Sequence, residues 1–170
     1  ASTLEAGVAS GVTKFTNSGD VGLVGKIYGW AFAAEMAAAV ALQYVYLLWD
    51  DAQVLALCAA LRAAHAGGGL RKLEKLNLNS NKMGDGAMAA LVALLEEGAM
   101  PNLEELTLSN NQVDAGVAAL ASALRGGALP SCWKIGLEGN PGSDASHGVV
   151  DSKVREALDD AAYEARRRTS

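Results

Sequence analysis

The chain is poor in aromatic side chains, in charge, and in the residues that usually carry chemistry. Of its 170 residues 5% are aromatic and 19% charged, and there are two cysteines, two histidines and three prolines. Two cysteines exclude a disulfide framework. Cys58 falls in a helix-like stretch and Cys132 at a hydrophobic position of a recurring pattern, so both read as small buried hydrophobes. His65 and His147 have no metal-ligand spacing to another Cys, His or carboxylate, and a catalytic metal needs three convergent ligands. Ser131-Cys132 has no base in sequence reach, and Gly67-Gly68-Gly69 lacks the Lys and Ser/Thr of a phosphate loop. The chain is therefore expected not to be an enzyme, and no metal site is expected. A net charge of −5 makes nucleic acid a poor partner. Hydrophobic residues make up 51%, and with so few aromatics this content is carried by Ala, Leu and Val. The first residue is Ala1 rather than Met. That suggests a processed or trimmed chain whose targeting peptide is already gone.

What the chain does have is repetition. Leu73-Glu74-Lys75-Leu76-Asn77-Leu78-Asn79-Ser80-Asn81 recurs thirty positions later as Leu103-Glu104-Glu105-Leu106-Thr107-Leu108-Ser109-Asn110-Asn111. Both read L-x-x-L-x-L-x-x-N. A degraded third copy runs from Cys132 through Ile135 and Leu137 to Asn140. In each copy the alternating L-x-L is a short strand with one face inward. The Asn follows where the chain must turn, and its amide can satisfy both a free backbone donor and a free acceptor. A helix comes next: Gly86 to Glu97 with Leu91, Leu94 and Leu95 on one face, then Gly116 to Arg125 with Val117, Leu120 and Leu124 inward. Asp85 and Asp114 stand where each helix could be capped. Gly98, Gly126 and Gly127 stop the helices, and Pro101 and Pro130 lead to the next strand. Asp50 and Asp51 cap an earlier helix, Ala52 to His65, with Val54, Leu57, Cys58 and Leu61 inward. After a loop from Pro141 to His147, Val150, Val154, Leu158, Ala161 and Ala165 mark a closing amphipathic helix. Each unit leaves a hydrophobic flank that only a neighbour can cover, so the units stack.

These motifs resemble the leucine-rich repeats, and the repeat length with a true helix resembles their long-repeat, ribonuclease-inhibitor-like class. The resemblance covers roughly residues 51–160. It implies an α/β solenoid with a parallel strand row on the concave side and helices on the convex side. It implies no particular partner, because such a scaffold serves many.

The stretch from Gly22 to Trp49 is different in kind. From Ile27 to Trp49 its only strongly polar residues are Glu35 and Gln43. A helix of that length spans about 35 Å, enough to cross a bilayer core. Tyr28, Trp30 and Phe32 gather at one end and Tyr44, Tyr46 and Trp49 at the other, as in an interfacial aromatic belt. This predicts one transmembrane helix. Gly25, Gly29, Ala33, Ala37 and Ala41 form a small-residue ridge for close helix approach. Glu35 lies on roughly the opposite side, where a carboxylate is costly in lipid and should face a protein partner, water or a ligand such as a chlorophyll magnesium, and the helix itself could also contact lipid. The competing reading makes Tyr46, Leu48 and Asp51 a further repeat strand, thirty positions before Leu76, Leu78 and Asn81, with Ala31 to Leu42 as a capping helix.

The expected architecture is thus an N-terminal arm over 1–21, a transmembrane helix over 22–49, and a leucine-rich-repeat domain over 50–170. The outward strand positions, Glu74, Lys75, Asn77, Asn79, Glu104, Glu105, Thr107, Ser109, Lys134 and Glu138, make a polar, mostly acidic concave patch suited to a protein partner with basic groups. Two functions follow as expectations. The first is a membrane-anchored, non-enzymatic interaction or linker subunit of a larger membrane complex, single-pass in an organelle membrane (thylakoid or mitochondrial inner membrane), with a photosystem antenna assembly as one setting. The second is a soluble adaptor or enzyme regulator that binds one protein through the concave face.

Overall fold

The computed structural model describes residues 31–143 apart from Ala33. The order of elements is β1 (Ala41–Gln43), α1 (Asp51–Ala66), β2 (Lys75–Asn77), α2 (Asp85–Glu96), β3 (Glu105–Thr107), α3 (Gly116–Arg125), β4 (Lys134–Gly136) and a 3-10 turn (Pro141–Ser143). Residues 31, 32 and 34–38 are also helical. The four strands form one sheet in chain order, β1-β2-β3-β4, with every pair parallel. Each strand is followed by a helix on the same side, and α1 packs on α2 and α2 on α3. The fold is a solenoid-like α/β stack.

The hydrophobic spacing produces this stack directly. Leu76, Leu106 and Ile135 face one another in register across the sheet. Leu73, Leu78, Leu103 and Leu108 are fully buried around them. From the helix layer come Met88, Leu91, Leu94 and Leu95 of α2 and Val117, Leu120 and Leu124 of α3. Both cysteines lie in this core, and burial pushes each thiol up to about 11. The helices end where a glycine takes a left-handed backbone: Gly68, Gly98 and Gly127 have φ of 80°, 72° and 86°.

Two ladders of polar side chains tie the units together. The turn asparagines are buried and saturated. Asn111 accepts from Met83 N and donates to the carbonyls of Leu78, Leu108 and Ser109. Asn140 repeats this with Val113 N, Leu108 O and Leu137 O. Asn81 accepts from Leu47 N and Trp49 N and donates to Tyr44 O and Leu78 O. Each amide therefore bonds its own turn and the preceding one, using two donor hydrogens and an acceptor oxygen where a hydroxyl has one hydrogen and a carboxylate none.

The second ladder corrects the expected caps. Asp85 does not cap α2, whose N-cap is Gly84 without a side-chain bond. Its carboxylate reaches forward to accept from the amides of Asp114, Ala115 and Gly116 at the start of α3. Those bonds, led by the one from Gly116, hold its carboxyl pKa below the usual range. Asp51 does the same for the next unit by accepting from Gly84 N at 2.6 Å, while Asp50 caps α1 in a reciprocal box with Gln53. Capping thus passes between units, and it explains Gly116: a Cβ there would come within 2.7 Å of Met88 Cγ and 3.0 Å of Asp85 Oδ1. Asp114 is likewise not the cap of α3, whose N-cap is Ala115.

The expectation of one continuous helix from Gly22 to Trp49 is overturned for the described residues. Helix stops at residue 38, Ala41–Gln43 is a strand, and residues 44–50 form a turn. No helix of the described residues is long and apolar enough to cross a membrane. The cause is tertiary. Leu42 pairs with Leu76 and is 9% exposed, Tyr44 stacks on Trp49 at 4.9 Å, and Asn81 captures the turn that follows. An apolar run cannot distinguish a buried strand from a helix by its periodicity. The competing reading had the extra strand but in the wrong register. The first unit spans 34 positions rather than 30, the offsets of Ala41 from Lys75 and of Lys75 from Glu105, because α1 has 16 residues and α2 has 12. Gln43 consequently sits beside Asn77 on the outer face, and Leu42 takes the inward position. Of the expected packing ridge, Gly25, Gly29 and Ala33 lie outside the described residues. Ala37 is exposed on the helical stretch, and Ala41 belongs to β1, so the ridge is not one helix face. The arm over 1–21 and the closing helix near 150–165 also lie outside the described residues.

Candidate functional site: the outer strand face

Strand alternation sends the residues between the buried leucines to the outer face of the sheet, and parallel pairing stacks them in rows. The first row is Lys75, Glu105 and Lys134, partners in register. Glu105 sits between two ammonium groups, 2.6 Å from Lys75 Nζ and 2.8 Å from Lys134 Nζ. Those hydrogen bonds, Lys134 first, hold its carboxyl below the usual range and raise Lys75 in return. The next row is Asn77, Thr107 and Gly136. At Gly136 a Cβ would come within 3.0 Å of Ser109 Oγ, so the glycine leaves room for the third row. There Asn79 Oδ1 accepts from Ser109 N at 2.8 Å, and the Ser109 hydroxyl donates to Glu138 Oε2 at 2.6 Å. That donation is the leading cause holding the pKa of Glu138 below its ordinary value.

The structure thus brings together the ten residues expected from the sequence on this face, although Ser109 is itself buried there, 8% exposed. It changes their electrostatics. The patch is not a uniform acidic field: Glu105 is neutralised by two lysines, and Glu138 is tied to Ser109. Glu74 and Glu104, at the strand starts, pair with no cation among the described residues. They line an open groove of about 370 Å³ together with Val40, Arg71, Lys72, Asn102 and Ser131.

One residue of this face escaped the sequence reading. Trp133 is 64% exposed at the rim of β4. Its amide donates to Glu104 O, and Lys134 Nζ lies 5.9 Å from its ring centroid. The signal was available: Trp133 stands at an outward position, in the row of Glu74 and Glu104. Exposed tryptophan is the side chain most enriched among binding hot spots.

The groups that could do covalent chemistry do not converge here. The Ser109 hydroxyl faces a carboxylate, His65 is in the last turn of α1, and His147 lies outside the described residues. Among the described residues no three of His, Cys, Asp and Glu cluster as metal ligands. Glu35, the expected pigment or partner contact, is exposed on the helical stretch before β1. Neither a protein-family model nor a curated protein matches the chain.

Proposed function

We propose that the chain is a leucine-rich-repeat protein of the long-repeat class, and that it works as a non-enzymatic protein-interaction module whose partner lies on the outer strand face. The observation that carries this reading is the row Lys75–Glu105–Lys134 with the Asn79–Ser109–Glu138 network beside it. Long polar side chains on a solvated face ordinarily lose rotamer freedom when a partner binds. Here they are already held by one another at 2.6–2.8 Å, so less ordering remains to be done. Trp133 supplies an apolar anchor at the rim. Glu74 and Glu104, without a cation partner among the described residues, share the groove with Arg71 and Lys72, a mixed lining that suits a partner carrying charges of both signs.

A photo-crosslinking residue placed at Thr107, in the centre of the face, tests the reading in native extracts. A specific protein adduct from position 107 and none from Ala89, an exposed position of α2, is the expected result. Adducts from position 89 alone would place the partner on the helix side and end this assignment. A membrane-anchored subunit of a larger complex is the same function in another setting, and it needs an anchor other than a helix running through Trp49. Retention of the full chain in carbonate-extracted membranes would support that setting, and release would leave the adaptor.

A further inference from the structure

The large apolar side chains left exposed are unevenly placed. Phe32, Val40, Tyr46, Leu47, Leu48 and Leu55 are all at the end that carries β1, and Trp133 alone lies elsewhere among the described residues. From Met36 through Trp49 the chain carries no charged residue. In the middle of this run is an edge strand, since among the described residues no strand lies outside β1. Tyr44 N and Tyr46 N donate inward to Asn77 O and Asn79 O, and Val40 O accepts from Glu74 N and Lys75 N. Backbone groups alternate sides along a strand, so the amides and carbonyls of Ala41 and Gln43 point to the free edge.

Natural edges are guarded by Lys, Pro, a bulge or an inward charge. The opposite edge, β4, carries Lys134. β1 reads Ala-Leu-Gln and has none of these guards. The turn after it departs from the other units in the same direction. Tyr46 holds the left-handed position taken later by Ser80, Asn110 and Gly139. Leu48 is also left-handed, at φ 57°, where the next unit has Lys82. These two side chains are 78% and 69% exposed, and Asn81 fixes the backbone between them through Leu47 N and Trp49 N. Bulky residues are disfavoured in this backbone region, and such strain concentrates at functional surfaces.

We propose that this end is a homotypic interface, in which two copies of the chain meet β1 to β1 across a two-fold axis. Such an axis sets a strand antiparallel to its own copy and continues the sheet through both molecules. Tyr46 and Leu48 of each copy then cover apolar surface of the other. The second copy is the occupant favoured by charge. A face without a charged residue from Met36 to Trp49 offers nothing for a charged partner to read, yet it lets two chains of net charge −5 approach with no like charges at the centre. Asp50 and Asp51, just beyond, are engaged as the caps of α1 and α2.

Sedimentation velocity on the purified full chain, from about 1 to about 100 µM, tests this without any other protein present. It is therefore independent of the partner on the strand face. The expected result is a species of twice the 17.4 kDa chain mass. Gln43→Pro removes a free-edge amide and leaves the inward ladder of Tyr44 and Tyr46 intact. Tyr46→Ser with Leu48→Lys installs what the second unit already carries, so it folds by precedent within the chain. Each variant is expected to weaken the dimer at least tenfold. A monomer at every concentration overturns the proposal. So does a dimer whose affinity neither variant changes.

Discussion

The inner units and the first unit use one backbone plan with different side chains. From β2 onward each turn carries a buried Asn that serves two turns at once. The first unit has Leu47 at that place, 46% exposed. Inner units put Ser80, Asn110 and Gly139 in the left-handed position, and the first unit puts Tyr46 there. The inner consensus answers a demand that exists only between two neighbours: orphan amides and carbonyls of the preceding turn that need a partner. No turn precedes the first one among the described residues, so an Asn would have nothing to bond there, and the position is released for another use.

The largest test of this contrast is in the core. Leu106→Ala removes a fully buried side chain of the middle strand, and thermal or urea melts are expected to show a loss of about 2–5 kcal/mol. Leu42→Ala, at the 9% exposed equivalent in β1, should lose less, because among the described residues no further unit lies on its outer side to leave a cavity against. Equal losses would mean that the first unit is as enclosed as the inner ones.

Asn111→Ala comes next. It orphans Met83 N in buried surroundings and takes one of two amide donors from each of the carbonyls of Leu78 and Leu108, and an unsatisfied buried group costs about 1–3 kcal/mol. Leu47→Asn at the equivalent place should leave the melting temperature unchanged. A gain from Leu47→Asn would reveal a preceding turn for it to bond.

The inter-unit cap is smaller and depends on pH. Asp85→Ala should cost about 1 kcal/mol, the ordinary worth of an N-cap. The folded pKa of Asp85 lies below its ordinary value of 3.8. Its contribution is therefore complete above that value and disappears as pH falls below it through the folded value. The gap between Asp85→Ala and wild type should accordingly close on acidification, in paired denaturant melts. A gap that persists well below pH 3.8 would mean the carboxylate is not what stabilises the start of α3.

The smallest effect concerns the left-handed turn. Ser80→Gly places at φ 57° the residue that Gly139 already supplies in the last unit. Relief of the Cβ conflict should add about 0.5–1 kcal/mol. A loss would mean that the Ser80 side chain makes a contact worth more than the strain it carries.

By itself the sequence determined the inner stack. Leu73, Leu76, Leu78 and Asn81 and their copies specify strand, register and turn because each consensus residue meets its own counterpart in the next unit, so a local period is also a tertiary contact. The outward residues follow from the same alternation, and all ten lie on one face. Only the tertiary structure decided the rest. It showed that Asp85 caps the helix of the following unit, because the helix start it bonds is some thirty positions away and lies beside it only after stacking. It paired Glu105 with two lysines and left Glu74 and Glu104 with no cation partner among the described residues. It also turned Ala41–Gln43 from helix to strand. An uncharged run of Ala, Leu, Val and Tyr satisfies helix, strand and bilayer equally well in isolation, and the choice fell to β2, which offered a ladder of free backbone groups, and to Asn81, which held the turn.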